Sequence, residues 1–310
     1  MKLPDHTPGA VDYLRIAFFG VLAAMTLPAS AQKFEDVLTG RGMWIQAPKK
    51  FNARMVSRLQ DMGVRRVHVM LTSQPKTLSG CTAVPALIQE AATDKLATIP
   101  AELASSKIAV LGTVYVLPDK NSIDKLTTPG DGLLATLLKA GYSAFEFDLE
   151  GQWSKSKVCG FADHPAAVDY LLSRTRSLSP GLKVGITTHL GRAADASVGL
   201  KSAGWVSIQV YTKCKPRDCA AYEGRNGPGQ RQLRMPKAFD YSGPIIMGLG
   251  AHFQKWPGKT EKEAMRRALD ATYAVQKAHP NVVGYSYWSS SWVSNAAQSD
   301  FLKSTSKEVP

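Results

Sequence analysis

From residue 41 onward, short apolar runs alternate with longer amphipathic segments. The short runs are rich in Val, Ile and aromatic residues and predict strands, and the segments between them have the pattern of helices. Strands separated by helices in this way are typical of a parallel sheet that is covered on both faces. The predicted strands are Met43–Gln46, Val64–Leu71, Ile108–Val116, Ala144–Leu149, Leu182–His189, Val206–Tyr211, Pro244–Leu249 and Val282–Trp288.

Several of the intervening helices have recognisable ends, which are capping residues, a proline in the first turn or a glycine stop. The predicted helices are Ala53–Met62 between Asn52 and Gly63, a helix capped by Asp131 that stops before Gly141, Ala166–Ser177 opened by Pro165, and a helix from the capping box Thr260–Glu263 to about Lys277. Eight strand–helix units in about 260 residues match a single (β/α)8 TIM barrel. A doubly wound open sheet is the alternative, but no glycine-rich phosphate loop follows the first strand.

The N-terminal segment has the features of a secretory signal peptide. An apolar run, Ala17–Leu27, follows Lys2 and Arg15 and ends in the small-residue pattern Ala29-Ser30-Ala31. We therefore predict a signal peptide over residues 1–31 and a catalytic barrel over residues 32–310. The mature protein is then secreted or periplasmic, with no stable membrane insertion after cleavage. An uncleaved membrane anchor is the alternative, although the run is short for a membrane span.

Export changes the expected chemistry of the four cysteines, because thiols in an oxidising compartment usually form disulfides. Four cysteines permit three pairings, and the sequence does not choose among them outright. Cys214 and Cys219 flank the turn-prone segment Lys-Pro-Arg-Asp, which favours their pairing, and Cys81 would then pair with Cys159. A zinc site is the competing interpretation, but no C-x-x-C pair or nearby histidine supports it. No metal and no cofactor is expected.

The net charge of +13 is compatible with binding to anionic polymers of the cell envelope. The basic residues are not clustered, however, and no interleaving of basic and aromatic residues suggests nucleic acid. We therefore interpret the basic residues as scattered over solvated faces.

The sequence from Phe145 to Glu150 alternates apolar and acidic residues without a break. In a strand this places Glu146, Asp148 and Glu150 on one face, which in a barrel is the interior. Glu150 ends the predicted fourth strand at the catalytic rim, and Asp148 lies one pleat below. Two carboxyl groups so close resist simultaneous ionisation, so the pKa of one should rise, as a general acid requires. A buried acid network paired with barrel arginines or lysines is the alternative.

Other polar and aromatic residues end the predicted sixth and eighth strands. Gln209 and Tyr211 share one face of the sixth strand, where both can form hydrogen bonds with a ligand. Trp288 ends the eighth strand and offers a flat surface for a sugar ring. Core packing is the alternative role for each of these aromatic residues.

Together these segments resemble glycoside hydrolase family 18, in its hevamine-type, class III chitinase branch. The matching segments are Phe145–Glu150, similar to the second half of D-x-x-D-x-D-x-E; Ile208–Tyr211, similar to Q-x-Y; Gly248–Ala251, similar to G-L-P-A; and Gly284 with Trp288-Ser289, similar to G-x-x-x-W-S. They fall on the strands that carry them in that family, in the same order.

The resemblance implies a substrate-assisted, retaining cleavage of a 2-acetamido sugar. Glu150 would protonate the glycosidic oxygen and later activate water, Asp148 would orient the acetamido group, and Tyr211 would hydrogen-bond to it. The substrate would be a polysaccharide or oligosaccharide with β-linked N-acetylated sugars, as in chitin, peptidoglycan or N-glycans. The remaining candidate substrate contacts are Glu146, Gln209, Trp288, Trp153, His189 and His252.

The chain departs from the family pattern at the first two acids of the signature, where it has Ser143 and Glu146. On the third strand it has Leu111–Tyr115 in place of S-x-G-G. These departures indicate a divergent member that acts on another N-acetylated glycan, or a binding protein without turnover.

Three other functions are compatible with parts of the chain. A family 25-like muramidase would use Asp148-Leu149-Glu150, but the predicted first strand lacks the aspartate of that family. A metal-dependent hydrolase would use His189 and His252, which we interpret instead as polar cleft residues because they form no H-x-H pair. A non-catalytic glycan-binding barrel would stack sugars on its tryptophans, namely Trp153, Trp256, Trp288 and Trp292.

Overall fold

The computed structural model describes residues 34–72, 93–150, 153, 158–189, 200–210, 241–250, 260–289 and 296–308. Eight parallel strands pair in chain order, and the last pairs with the first to close the barrel. The predicted (β/α)8 TIM barrel is therefore confirmed. The strands are β1 Gly40–Ile45, β2 Arg66–Met70, β3 Ala109–Tyr115, β4 Ala144–Asp148, β5 Lys183–His189, β6 Val206–Gln209, β7 Ile245–Gly250 and β8 Val282–Trp288.

The helices of the described ranges pack around this barrel. They are α1 Phe34–Leu38, α2 Ala53–Asp61, α3 Thr93–Leu103, α4 Lys120–Leu126, α5 Leu133–Lys139, α6 His164–Arg176, α7 Glu261–Ala278 and α8 Ala296–Ser304, with short 3-10 turns at Pro48–Lys50 and Ala104–Ser106. In these parts of the chain, no helix is both long enough and apolar enough to cross a membrane. The predicted signal peptide, residues 1–31, lies outside the described residues.

Two of the predicted caps are confirmed. The side chain of Asn52 accepts a hydrogen bond from the Met55 amide at the start of α2, and Gly63 beyond its end has a φ of 67°, which favours glycine. Thr260 and Glu263 form the reciprocal capping box that opens α7.

Two other helix starts differ from the prediction. Helix α5 is capped by Gly132 and not by Asp131, and no side chain bonds to its first turn. The reason is a tight turn in which the Gly132 amide donates to the Thr128 carbonyl and shifts the helix start by one residue. Helix α6 begins earlier than predicted, because Asp163 caps it through the Ala166 amide.

The alternation predicted for the fourth strand has the expected outcome in the barrel. Phe145 and Phe147 belong to the large apolar core that also includes buried residues of the helices, whereas Glu146 and Asp148 bond to interior side chains of other strands. A smaller apolar cluster, which includes Leu38, Leu111, Ala144, Trp205 and Ile246, contains residues from the N-terminal part of the barrel. Glu146 and Asp148 therefore lie nearer to the C-terminal strand ends than this apolar cluster does.

The ends of two strands differ from the prediction in a way that affects the site. Strand β4 ends at Asp148, so Glu150 lies two residues beyond the strand. Strand β6 ends at Gln209, two residues before the predicted end at Tyr211. Both carboxyl-terminal ends lie on the rim where TIM barrels carry their active sites.

Candidate active site

Glu146 lies at the centre of the barrel with no exposed surface. Its carboxylate accepts hydrogen bonds from side chains of five surrounding residues. The donors are Thr113 Oγ1 at 2.8 Å, His68 Nδ1 at 2.9 Å and Trp44 Nε1 at 3.0 Å to Oε1, and Ser207 Oγ at 2.8 Å and Trp205 Nε1 at 3.4 Å to Oε2. A buried carboxylate with this many donors has its desolvation cost largely compensated.

Arg66 and His68 extend this arrangement toward the N-terminal end of the barrel. The Arg66 Nε–H donates to His68 Nε2 at 3.2 Å, so the remaining imidazole proton lies on Nδ1 and points at Glu146. The other two guanidinium nitrogens of Arg66 donate to backbone carbonyls: Nη1 to Leu38 O at 2.7 Å and Nη2 to Tyr285 O at 2.8 Å, among further acceptors. The interior thus contains a buried chain from a cation through a neutral imidazole to a carboxylate, which we call the Arg66–His68–Glu146 chain.

The pKa values of the three side chains in the Arg66–His68–Glu146 chain agree with the hydrogen-bond pattern. Burial alone would raise the pKa of Glu146, but the interaction with His68 and the hydrogen bonds from Thr113 and Ser207 outweigh it and bring the pKa to about 2. Burial lowers the pKa of His68, which keeps the imidazole neutral. Burial also lowers the pKa of Arg66 to about 9, which leaves it charged at neutral pH.

This position corrects the expectation that Glu146 contacts substrate. The carboxylate is enclosed by protein donors below the rim, so it belongs to a buried acid network, which was the alternative interpretation of the acidic run. The donor Trp205 fits beside it because β5 has Gly185 there; a Cβ at Gly185 would overlap the Trp205 ring. A side chain at this position would displace the indole from Glu146.

Asp148 lies one pleat above Glu146 and is only 5% exposed. Gln209 Nε2 donates to Asp148 Oδ1 at 3.4 Å and to Thr187 Oγ1 at 3.3 Å. Burial raises the pKa of Asp148 well above its usual range, and the negative charges of Glu150 and Glu146 raise it further. The expected raised pKa thus belongs to Asp148, the more deeply buried acid, which binds its proton more tightly than an exposed aspartate does.

Glu150 is partly exposed beyond the end of β4, where solvent and ligands can reach it. Its charge acts on both Asp148 and Tyr115, which places it near both side chains. The two carboxyl groups predicted to work together are therefore close at the C-terminal rim, one buried and one accessible.

Glu150→Gln is expected to lower the pKa of Asp148, because it removes the second largest cause of the elevation. The pKa should remain above that of an exposed aspartate, since burial is the largest cause. Infrared titration of the protonated carboxyl band, with Asp148→Asn to assign it, measures this change. An unchanged Asp148 titration in Glu150→Gln would contradict the proposed coupling.

Tyr115 is a site residue that the sequence reasoning did not select. It is the last residue of β3, shares the inward face of that strand with Thr113, and is in register with Asp148 on β4. Burial raises the pKa of Tyr115, and the charges of Asp148 and Glu150 raise it further, so the phenol keeps its proton. The alternation of Leu111, Thr113 and Tyr115 on one strand face was the available signal.

The two tryptophans of the candidate site have different environments. Trp288 ends β8 with partial exposure, its ring centroid lies 6.1 Å from that of Trp44, and its peptide bond to Ser289 is cis. Trp153 is 2% exposed and packs in the apolar core. This corrects the expectation for Trp153, because a buried ring offers no face to a sugar; Trp288 keeps its candidate role.

Several predicted residues lie outside the described residues, so their roles stay predictions: Tyr211, His252, Cys81, Cys214, Cys219, Trp256 and Trp292. The backbone of His189 ends β5 in register with Gln209. Cys159 is buried and belongs to a disulfide, while both predicted pairings remain untested. Within the described ranges, no group of three or more His, Cys, Asp or Glu side chains is placed to hold a metal ion.

No protein-family model matches the chain, and a comparison with curated proteins finds no match. Solved structures do match it. A xylanase and amylase inhibitor protein, XAIP-III, has a TM-score of 0.58 at 12% identity over 86% of this chain and 98% of that chain. A GH113 β-1,4-mannanase has a TM-score of 0.58 at 12% identity, over 87% and 99%. The spore cortex-lytic enzyme SleL of Bacillus megaterium QM B1551 has a TM-score of 0.55 at 11% identity, over 88% and 75%.

At these identities the likeness shows the fold alone. Glycoside hydrolases are prominent among the similar structures, and the inhibitor shows that the same architecture also occurs in a protein named for inhibition. Any activity of this chain must therefore be argued from its own residues.

Proposed function

We propose that the protein is an exported glycoside hydrolase that cleaves β-linked N-acetylated glycans by a retaining, substrate-assisted mechanism. The observation that carries the proposal is the pair of a buried Asp148 with a raised pKa and an accessible Glu150 at the C-terminal rim of β4. The similar mannanase and cortex-lytic enzyme support a glycosidase in general. The resemblance to family 18 supports the N-acetylated substrate.

Glu150 is the general acid and base of the proposed reaction, because it is the carboxyl group that a glycosidic oxygen can reach. The carbonyl oxygen of the substrate's own acetamido group attacks the anomeric carbon while Glu150 gives its proton to the departing sugar oxygen. Water then adds to the anomeric carbon of the cyclic intermediate, and its proton passes to Glu150. The configuration at the anomeric carbon is retained because it is inverted twice.

Asp148 supports this cycle by sharing one proton with Glu150. In the free protein, burial favours the proton on Asp148. When an acetamido N–H approaches Asp148, the ionised form becomes the better acceptor and the proton is favoured on Glu150, where the reaction needs it. Substrate binding would thus transfer the shared proton from Asp148 to Glu150, the general acid.

The substrate of the protein and its location in the cell are also part of this proposal. The substrate would be a polysaccharide or oligosaccharide such as chitin, peptidoglycan or an N-glycan, and the protein would act outside the cytoplasm. No cofactor enters the proposed reaction, since the nucleophile is part of the substrate.

A non-catalytic carbohydrate- or protein-binding barrel is the second candidate. The inhibitor XAIP-III matches the chain with the same TM-score as the mannanase. Glu146, which replaces an acid of the family 18 signature, is also held in the buried chain and not beside the substrate.

A substrate panel tests the proposed function. Chitin oligomers, peptidoglycan and N-glycans are incubated with the wild-type protein, and the first-formed product is followed by proton NMR. We expect product from at least one N-acetylated glycan, with its initial anomeric form matching that of the substrate. Binding without product on the whole panel would favour the second candidate, and an inverted product would exclude the substrate-assisted route.

A further inference from the structure

The hydroxyl group of Tyr115 is buried beside the two candidate acids and has no hydrogen-bond partner within the described residues. Its ring is fully buried at the C-terminal end of β3, and its register partner is Asp148. Buried polar groups in proteins nearly always have a partner, and an unsatisfied one costs about 1–3 kcal/mol. A hydroxyl that lacks one at a barrel rim would therefore gain free energy from a hydrogen bond with a ligand group that reaches it.

A second unsatisfied atom belongs to the same group of side chains. Gln209 uses its amide nitrogen on Asp148 and Thr187, while its oxygen has no partner within the described part of the chain. The side chains around Asp148 thus supply one available donor, Tyr115 Oη–H, and one available acceptor, Gln209 Oε1. A secondary amide presents the complementary pair, a carbonyl oxygen and an N–H.

The charges of the site select against anionic ligands. Glu146 is ionised inside the barrel, and its charge and that of Glu150 already raise the pKa of Asp148. A sugar carboxylate beside these groups would add a further like charge in a buried setting, which is unfavourable. The charges therefore disfavour an anionic ligand group. The donor of Tyr115 and the acceptor of Gln209 together match a neutral amide better than an ammonium group, which has donors but no acceptor.

We infer that Tyr115 is a specificity-determining residue whose hydroxyl donates a hydrogen bond to the carbonyl oxygen of an uncharged amide substituent on the bound sugar. The N–H of that substituent is shared between Asp148 and the neighbouring Gln209 Oε1. The inference rests on the proposed function for the position of the sugar. It adds a residue on β3, at a segment where the chain lacks the S-x-G-G of the family it resembles.

Tyr287 provides a matched control for Tyr115. It is also fully buried, and its hydroxyl also lacks a partner within the described ranges. Its neighbours are Arg41 and Tyr285 on the outer face of the barrel, on the opposite side of the strands from the interior site. Tyr→Phe at either position removes the same atom from the same degree of burial, and only Tyr115 lies beside the acids.

The experiment measures binding in the Glu150→Gln protein, so that turnover is not required. Isothermal titration compares the β-1,4-linked tetramer of N-acetylglucosamine with cellotetraose, which carries a hydroxyl in place of each acetamido group. Tyr115→Phe should weaken binding of the acetylated tetramer by about tenfold and change cellotetraose binding by less than about twofold. Tyr287→Phe should change neither, and neither substitution should lower Tm, because each removes an unsatisfied buried hydroxyl.

The inference is overturned if Tyr115→Phe weakens the binding of both tetramers equally, or if it does not weaken the binding of the acetylated tetramer. A fall in Tm specific to Tyr115→Phe would show that the hydroxyl stabilises the fold, which also overturns it. If Glu150→Gln binds neither tetramer, the amide site is absent and the inference fails. A Tyr115-dependent preference without turnover in the wild-type protein would support this inference while refuting the hydrolase proposal.

Discussion

Glu150→Gln is expected to lower kcat on the preferred N-acetylated substrate by about 10²–10⁴-fold, the usual contribution of a general acid and base. Glutamine preserves the shape of the side chain but cannot give a proton to the leaving oxygen or take one from water. Because the substitution leaves the other site residues in place, KM should change much less than kcat. Steady-state kinetics with a chromogenic oligosaccharide measure both constants.

The control for this loss is Glu102→Gln, which makes the same chemical change on the surface helix α3. Glu102 pairs with Lys95 and is 27% exposed, so its kinetics should match the wild type. Thermal unfolding of both variants checks that the barrel is intact. If Glu150→Gln kept more than about a tenth of the wild-type kcat, general acid catalysis by this residue would be refuted, since one factor of ten corresponds to only about 1.4 kcal/mol.

Glu146→Ala is expected to lower the free energy of unfolding by about 3–5 kcal/mol, the usual cost of leaving a buried charge without its counter-charge. The substitution leaves buried Arg66 without a counter-charge at the end of the Arg66–His68–Glu146 chain, and it deprives the indole of Trp44 and the hydroxyls of Thr113 and Ser207 of their acceptor. For a barrel of this size the loss corresponds to a fall in Tm of roughly 10 °C. Chemical and thermal denaturation measure it.

Glu102→Ala is the matched control, because it removes a carboxylate from a partly exposed ion pair on the surface, and such pairs are worth about 0–1 kcal/mol. A similar small effect of both substitutions would show that the buried chain does not stabilise the barrel. The loss of unfolding free energy in Glu146→Gln should lie between those of Glu146→Ala and Glu102→Ala, since an amide keeps the shape and one acceptor oxygen but removes the charge.

The same residue gives stability a pH dependence with a definite sign. The pKa of Glu146 is lowered from 4.5 to about 2 on folding, so its contribution is fully present above about pH 4.5 and is lost as the pH falls toward 2. Glu146→Gln removes this titration, so the stability of the variant should depend less steeply on pH in that window. Equal slopes in both proteins would contradict the low pKa.

The barrel was predictable from sequence because its signals are local. Apolar runs, caps and glycine stops determine where strands and helices begin and end, and the short connections between them leave few topologies. The predicted capping box at Thr260–Glu263 and the strand Val282–Trp288 are confirmed to the residue. The prediction that Asp131 caps α5 was wrong for a local reason as well, since the turn before α5 moves the cap to Gly132.

The acidic run shows where local information ends. The alternation in Phe145–Glu150 by itself determined that three acids share a face and that this face differs from that of the phenylalanines. It could not determine which side chains contact the acids on that face. The partners of Glu146 come from β1, β2 and β3 and from Trp205 and Ser207, which are distant in the sequence and adjacent only after the barrel closes.

The sequence by itself therefore determined the (β/α)8 fold and the location of an acidic pair at the end of the fourth strand, because backbone periodicity and helix capping depend on neighbouring residues. Only the tertiary structure decided that Glu146 is a buried structural acid, that Trp153 is core, that the raised pKa belongs to Asp148 and that Tyr115 lies beside it. Burial and hydrogen bonding between strands depend on register and closure, which bring together side chains that no local pattern connects.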